Sequence, residues 1–514
     1  MPPLSRRSFL RATGAAAALA GIPALAACGA PADTVAPRLR VAFAGAGPLA
    51  VPDPHLVPRA VDRARAVAVA DTLMAWAPDM SAVPHLAESV EPDPTGTVWR
   101  VRLRPAVAHD GAPLTAADAL ASLTRVADPA SGATAAPLLA NVDLTASRAV
   151  SPTELELVLG APDFLFPLVL GAPGTGVVRD GRGDRPVGSG AFRVDDTAPE
   201  ILRRHDGHWD GPAASSELEF LVDDDEEQRY QSLIDGHVAY AHDLFPHSVR
   251  RMLSRIAVEV LSAPGSASRF LETGSGPPGA VGRGDLGGPE DGAPDGPATP
   301  FDDPRLREAV RLGIDREVLV RRVLLDLGDP GDDLYGPGLA HHPDGLAPVE
   351  RDVARARELV GAAGVGDAVV PLRLDPFDPL SNLAAPLVAE QLDEIGLRTE
   401  IRLPDDPDAA GGLAFRKVGA QPIPLHLRGI AQPPAEAEQA PRTDVAELLA
   451  TAAGTPEDAV RADALRRAQV LLRDSTTAWS DCPEHVGISA DLTGVEAARP
   501  DTAAWARFHR ARLG

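Results

Sequence analysis

From residue 39 onward the chain switches repeatedly between two hydrophobic periods, and a chain that does so must lay helices against sheets. Alternate positions are apolar in 39–43, 99–103, 154–159, 191–194 and 217–222, which predicts strands. Helical spacing is found between them, over 64–76 (ended by Pro78), 115–126, 226–234, 304–325, 351–363 and 383–395. The expected fold class is α/β. With 514 residues and 44% hydrophobic content the chain can bury several cores, so two to four structural units are expected. Residues 274–300 carry Gly, Pro and Asp with hardly a large apolar side chain, which predicts an exposed loop or linker; 404–412 and 432–443 read similarly.

Net charge is −24, and the basic residues are arginines apart from Lys417, so nucleic acid is not an expected partner. Several conspicuous groups have structural explanations. In the run from His109 to Asp118, Asp110-Gly111 makes a turn and Thr115 caps a helix with Asp118 in the capping-box place. Asp302-Asp303-Pro304 likewise starts a helix. The acids Asp223 to Glu227 read as a solvated helix N-terminus, since calcium loops space their ligands. His341-His342 point apart in an extended loop and are not expected to hold a metal. Cys482 reads as a buried small hydrophobe rather than half of a disulfide. No Gly-x-Ser-x-Gly elbow, His-Glu-x-x-His helix or phosphate loop occurs, so neither a catalytic site nor a cofactor is expected.

The first 27 residues read as a cleavable signal. SRRSFLR at 5–11 precedes an apolar run over 15–27, too short to span a bilayer. Arg6 and Arg7 resemble the twin-arginine export motif, whose pathway carries folded chains. LAAC at 25–28 resembles a lipobox, which makes Cys28 the expected lipidation site and mature N-terminus, with 28–38 as a tether holding the protein to the outer face of the membrane.

The mature chain resembles the family 5 solute-binding proteins of peptide and nickel ABC importers. LRPAVAHDGAPLTAAD (103–118) is similar to that family's most specific signature, PVGSGAF (186–192) to its "PvGTGPY" turn and LIDGHV (233–238) to its "LxxGevD" element. FDDPRLREA (301–309), GIDRE (313–317) and QLDEIGL (391–397) continue the series in order. The resemblance implies a type II periplasmic-binding-protein fold, two lobes with an extra inserted domain. Its segments would be domain I at 39–78 and 186–273, domain II at 79–185, the Gly/Pro-rich loop at 274–300, domain III at 301–480, and a return to domain I at 481–514. It further implies a monomer that captures a small or peptide-like solute and delivers it to ABC permease subunits. Position in the pattern makes Trp76, Phe164, Phe270 and Arg428 the expected cleft residues. Peptide-binding members carry a segment like "gWxaDypDP", whose Asp can pair with a peptide's amino group. Here LRGIAQPP (427–434) lacks both Trp and Asp, Glu436 and Glu438 being out of register, so ordinary free-peptide recognition is not expected. The alternative is a non-transport interaction or receptor lipoprotein on the same scaffold.

Overall fold

The computed structural model describes residues 38–195, 197–263, 265–273, 299–343, 345–366, 368–406, 411–432, 442–473, 476–495 and 508–514. Arg6, Arg7, Cys28, nearly all of the Gly/Pro-rich loop, Glu436 and Glu438 lie outside the described residues.

Three sheets organise the chain. A seven-stranded sheet runs in the order Val258–Ala263, Glu484–Ser489, Tyr240–Leu244, Arg38–Phe43, Glu217–Val222, Ile201–Arg204, Phe192–Val194. Its centre is parallel, Val41 lying opposite both Phe220 and Tyr240, and Phe43 stacks there on Tyr240 and His242. A six-stranded sheet has the order Asp329–Pro330, Thr477–Asp481, Ala267–Thr273, Leu413–Gly419, Val370–Arg373, Thr399–Arg402. An antiparallel four-stranded sheet joins Ala87–Pro92, Val98–Leu103, Glu154–Leu159 and Val142–Ser151.

The four-stranded sheet is an insertion between the helix Ala60–Val69 and the strand Phe192–Val194. Its two connections lie together: Gly190 N–H donates to Val69 O (3.0 Å) and His109 N–H to Gly188 O (2.9 Å). Buried Asp71 clamps them, accepting from Ser189 Oγ (2.8 Å), Trp209 Nε1 (3.0 Å) and His85 Nε2 (2.9 Å). That demand on Asp71 is why the helix expected over 64–76 stops at Val69; Met74–Trp76 instead pairs with Ala82–Pro84 as a short strand.

Local signals behave as elementary chemistry dictates. Thr115 accepts from Asp118 N while Asp118 accepts from Thr115 N, closing the capping box. Ring His109 bonds Gly190 O (3.0 Å), and Asp110 accepts from Ala112 N, so this pair docks a turn. The helix expected over 304–325 is two, Pro304–Gly313 and Arg316–Val323, because Asp315 caps the second through Val318 N.

The largest departure concerns the passage between the two large sheets. The expected second segment of domain I, 186–273, is split by it: Val258–Ala263 pairs with Glu484–Ser489, whereas Ala267–Thr273 pairs with Leu413–Gly419 in the other sheet. The chain therefore changes sheets between Ala263 and Ala267, ahead of the Gly/Pro-rich stretch. It changes back between Asp481 and Glu484, alongside the first crossing. Ala263 lies opposite Glu484, Ser268 opposite Asp481, and Cys482 N–H donates to Ala267 O (3.0 Å).

A Cβ added at Gly190 would come within 2.4 Å of Ala68 O and 2.5 Å of Val69 C, in backbone that cannot yield cheaply. Gly190→Ala is expected to lower unfolding free energy by about 1–3 kcal/mol, read from denaturant melts; an unchanged midpoint would contradict the close approach at the inserted sheet's connections.

Candidate functional site

The strand Leu413–Gly419 carries Lys417, and the strand Tyr240–Leu244 of the other sheet ends at Asp243 and Leu244. Lys417 Nζ reaches Glu484 Oε1 at 2.9 Å and Asp243 Oδ1 at 3.5 Å, so one ammonium ties the six-stranded sheet to two strands of the seven-stranded one. Burial opposes this charge, yet Asp243 and Glu484 hold the Lys417 ammonium above its usual value. Burial opposes their charges too, and Lys417 holds both carboxyls below the usual range. Beside them Arg269 Nε donates to Asp378 Oδ2 at 2.6 Å in a buried pair. Lys417 N–H donates to Asp375 (2.6 Å), whose carboxyl burial pushes up.

Most of these groups line a narrow crevice built from Asp243–Pro246 and Cys482–His485 on one side and Arg269, Lys417 and Phe377–Leu380 on the other. Asp243 stands at the carboxyl end of a strand parallel to Arg38–Phe43, and 377–380 follows the carboxyl end of Val370–Arg373, which is parallel to both its neighbours. Ligands of open α/β sheets bind outside such ends. Arg269 Nη1 and His485 Nε2, on two of the residues that line the crevice, are buried without a hydrogen-bond partner among the described residues. Burial, with Arg269 nearby, lowers His485 to about 4; it is a neutral ring, bonded through Nδ1 to Ser262 Oγ (2.7 Å). Cys482 is buried, and its thiol is pushed up by that burial, so it is no thiolate nucleophile.

The four expected cleft residues lie elsewhere. Phe270 is buried in its strand and packs in a core that also holds Val418 and Ala478; its neighbour Arg269 faces the crevice instead. Trp76 Nε1 donates to Leu168 O (2.9 Å) beside Gly171. Phe164 stands edge-on to Trp99, and its N–H donates to Ala453 O (2.7 Å). Arg428 Nη2 bonds Asp163 Oδ2 at 2.8 Å. Phe164 and Arg428 are thus brought to one seam between the inserted sheet and the helices that follow Leu413–Gly419; none of the four lines the crevice at Lys417. The segment beginning at Ile423 is the helix Ile423–Ala431, which buries Ile423, Leu425 and Leu427.

Metal chemistry finds little purchase. Glu226, Glu227 and His247 bring ligand atoms within 4.8 Å of one another, but Arg251 and Gln231 hold both Glu227 oxygens, and Glu226 accepts from Phe245 N and Ser248 Oγ. Glu226 is buried, unlike the solvated group expected there. His341 and His342 belong to no metal-binding cluster among the described residues. The sequence marks Lys417 by rarity alone, as the one lysine in a chain whose other basic residues are arginines and histidines, and no motif around it points to a site.

The family model for bacterial extracellular solute-binding proteins, family 5 Middle, matches residues 81–420, and that for the twin-arginine translocation pathway signal matches residues 3–23. Glutathione-binding protein GsiB of Escherichia coli K12 is 23% identical over 335 residues, covering 62% of this chain. The match spans 60% of that relative's own length. The GsiB of Salmonella paratyphi A is 24% identical over 412 residues, 77% of this chain and 73% of the relative. Among solved structures, AgaA from A. tumefaciens R10 with agropinic acid superposes with a TM-score of 0.75 at 18% identity, covering 93% of this chain and 99% of that one. NikZ from Campylobacter jejuni with Ni(L-His) gives 0.75 at 14% identity, over 92% and 99%. The fold is that of the type II periplasmic binding proteins.

Two predictions test the electrostatics. Lys417→Met leaves two acids facing each other in a partly dry site and is expected to cost about 2–3 kcal/mol, somewhat below a fully buried pair; an unaltered melting temperature would show the bridge to be idle. Asp481 is pushed up to about 7 by burial, against the hydrogen bond from Ser268 and with Asp329 and Asp332 adding to the rise. The folded chain therefore keeps a proton there that the unfolded chain loses near 4, and this carboxyl makes stability fall as pH rises from about 4 to 7. Asp481→Asn is expected to stabilise the protein at pH 8 and to matter little at pH 4, in paired thermal melts; equal effects at both pH values would refute the assignment.

Proposed function

Since the chain belongs to family 5 of the bacterial extracellular solute-binding proteins and carries a twin-arginine export signal, we propose that it is the substrate-binding component of an ABC importer. It captures a small solute between two units and presents it to permease subunits. The observation that carries this reading is the paired crossing: two sheets face one crevice and are joined by two strand segments lying side by side, with Lys417 across the joint. Such a joint can bend with little change inside either sheet, which is what closure on a ligand requires. No bond need be made or broken, and the protein acts as a binder, not an enzyme.

The solute is peptide-like or related. GsiB is named for glutathione, AgaA holds agropinic acid and NikZ holds a nickel–histidine complex; all three solutes offer carboxylates, and the crevice lining includes the cation Arg269. The chain is held to the membrane through acylated Cys28 and works as a monomer. A second reading, a non-transport interaction or receptor lipoprotein with a degenerate cleft on the same scaffold, is favoured by the absence of Trp and Asp from LRGIAQPP (427–434).

A thermal-shift screen of short peptides, glutathione, opines and metal–histidine chelates should yield at least one ligand that raises the melting temperature. Uniform silence together with failure to co-purify with any permease would favour the second reading. Cys28→Ser should release the exported protein from membranes and remove the diacylglyceryl mass; retention in the membrane fraction would exclude the anchor.

A further inference from the structure

The crevice occupies only one rim of the seven-stranded sheet, since Asp243 stands near the carboxyl end of Tyr240–Leu244. The opposite rim holds the amino ends of the parallel strands, Arg38 among them. Val258–Ala263 also starts there: it is antiparallel to Glu484–Ser489, which is antiparallel to Tyr240–Leu244, which is parallel to Arg38–Phe43. Val41 lies opposite Tyr240, Tyr240 opposite Ile488 and Ile488 opposite Glu259, so Glu259 is level with Val41 at three strand spacings, ~14 Å. Ile256, three residues ahead of Glu259, thus stands at the height of Arg38, three residues ahead of Val41. The chain turns at this rim between the helix Pro246–Met252 and the strand Val258–Ala263. Met252 and Val258 are buried, but Leu253 is 60% exposed and Ile256 97%, more than any other large apolar side chain among the described residues. Arg255 N–H donates to Met252 O (2.8 Å) and Ala490 N–H to Ala257 O (2.9 Å), so backbone bonds on both sides hold the two side chains out. Residues 246–258 include three arginines, a histidine and no acid, in a chain with 73 acids among 514 residues. Arg250 donates to Leu325 O (2.9 Å) and Arg251 holds Glu227; Arg255, between the two aliphatics, is exposed.

We propose that this turn is a membrane-contact element: Leu253 and Ile256 enter the headgroup region of the bilayer that holds the lipid anchor, and Arg255 meets a lipid phosphate. The inference rests on the reading of Cys28 as the acylated residue. Cys28 precedes Arg38 by ten residues, which span at most ~35 Å when fully extended. The rim that carries Arg38 is therefore kept near the bilayer, and Ile256 lies on that rim. A short flexible tether also supplies an effective concentration in the millimolar range, so a contact too weak to recruit the free chain is populated once the anchor is in. Two aliphatic side chains and one arginine make a contact of that strength. Charge favours the same partner: an anionic surface repels a chain of net charge −24 except where a stretch without acids faces it, and Glu259, exposed just beyond the turn, ends that stretch. The contact sets a posture. Docked by its amino rim, the sheet holds the crevice at the carboxyl rim, on the side away from the bilayer where solute arrives.

An environment-sensitive fluorophore on Ser254→Cys, between the two aliphatics, reads the contact, Cys482 being buried. With the acylated chain on vesicles of phosphatidylcholine and phosphatidylglycerol its emission should shift to the blue, whereas the same probe on Leu221→Cys, near the carboxyl rim, should not respond. Leu253→Ser combined with Ile256→Ser should abolish the shift while the chain stays on the vesicles. Added to the same vesicles at millimolar lipid, the Cys28→Ser chain should bind weakly, and the two serine substitutions should lower that partition about tenfold. Amide exchange over 253–257 gives the reading for the unaltered chain, slower on vesicles than in solution. A Ser254 probe that stays in water on chains that float with the vesicles, or a partition indifferent to the serine substitutions, would overturn the inference. Chains that do not float at all would instead fault the anchor, and the titration of the Cys28→Ser chain, which needs none, still decides the turn.

Discussion

The chain leaves one large sheet at Ala263 and enters the other at Ala267, and returns between Asp481 and Glu484 beside those same two points, and the proposed function follows from that pairing. The two segments are antiparallel neighbours through Ala263 and Glu484 and through Ser268 and Asp481. Glu484 N–H also donates to Ser266 Oγ, whose hydroxyl donates to Ala263 O. Bending the two segments together preserves the ladder within each sheet. Lys417 adds an electrostatic tie of unusual placement: its partners belong to the opposite sheet, at the ends of strands that meet the crossing. An ammonium on a four-carbon stem tolerates changes of angle that a bidentate guanidinium would not. Where rigidity is wanted instead, within the six-stranded unit, the chain uses Arg269 locked on Asp378 and Arg316 on Asp333.

Much of the fold was legible because it is dictated by chemistry that is local. Thr115 with Asp118, Asp303 before Pro304, and Asp352 ahead of Val353–Ala363 mark helix starts by hydrogen bonds their side chains must make. Glu226–Ile234 and Glu154–Leu159 match the periodicity residue for residue. The region after residue 400 was harder for a physical reason. Thr477–Asp481 is buried at every position, so neither face alternates, and Leu413–Gly419 mixes Arg416 and Lys417 into a buried strand. Asp458–Arg473 has charged residues on most of its surface and little apolar stripe to betray it.

The site was less legible than the fold. Phe164 and Arg428 were singled out by their place in a family pattern, and the structure does bring them to one seam, but with each other's neighbourhood rather than with an open pocket. Lys417 and its partners are separated by 174 and 67 positions in the chain, distances over which no spacing rule operates. What the sequence contained was rarity: a lysine kept where arginine is otherwise used throughout.

That rarity has a practical consequence. Reagents that acylate primary amines will find no side-chain target on the outside of this molecule, since its surface cations are guanidinium groups and its one ε-amino group sits at the joint, 13% exposed and already paired. Modification there would report how often the joint gapes rather than how much surface the molecule shows.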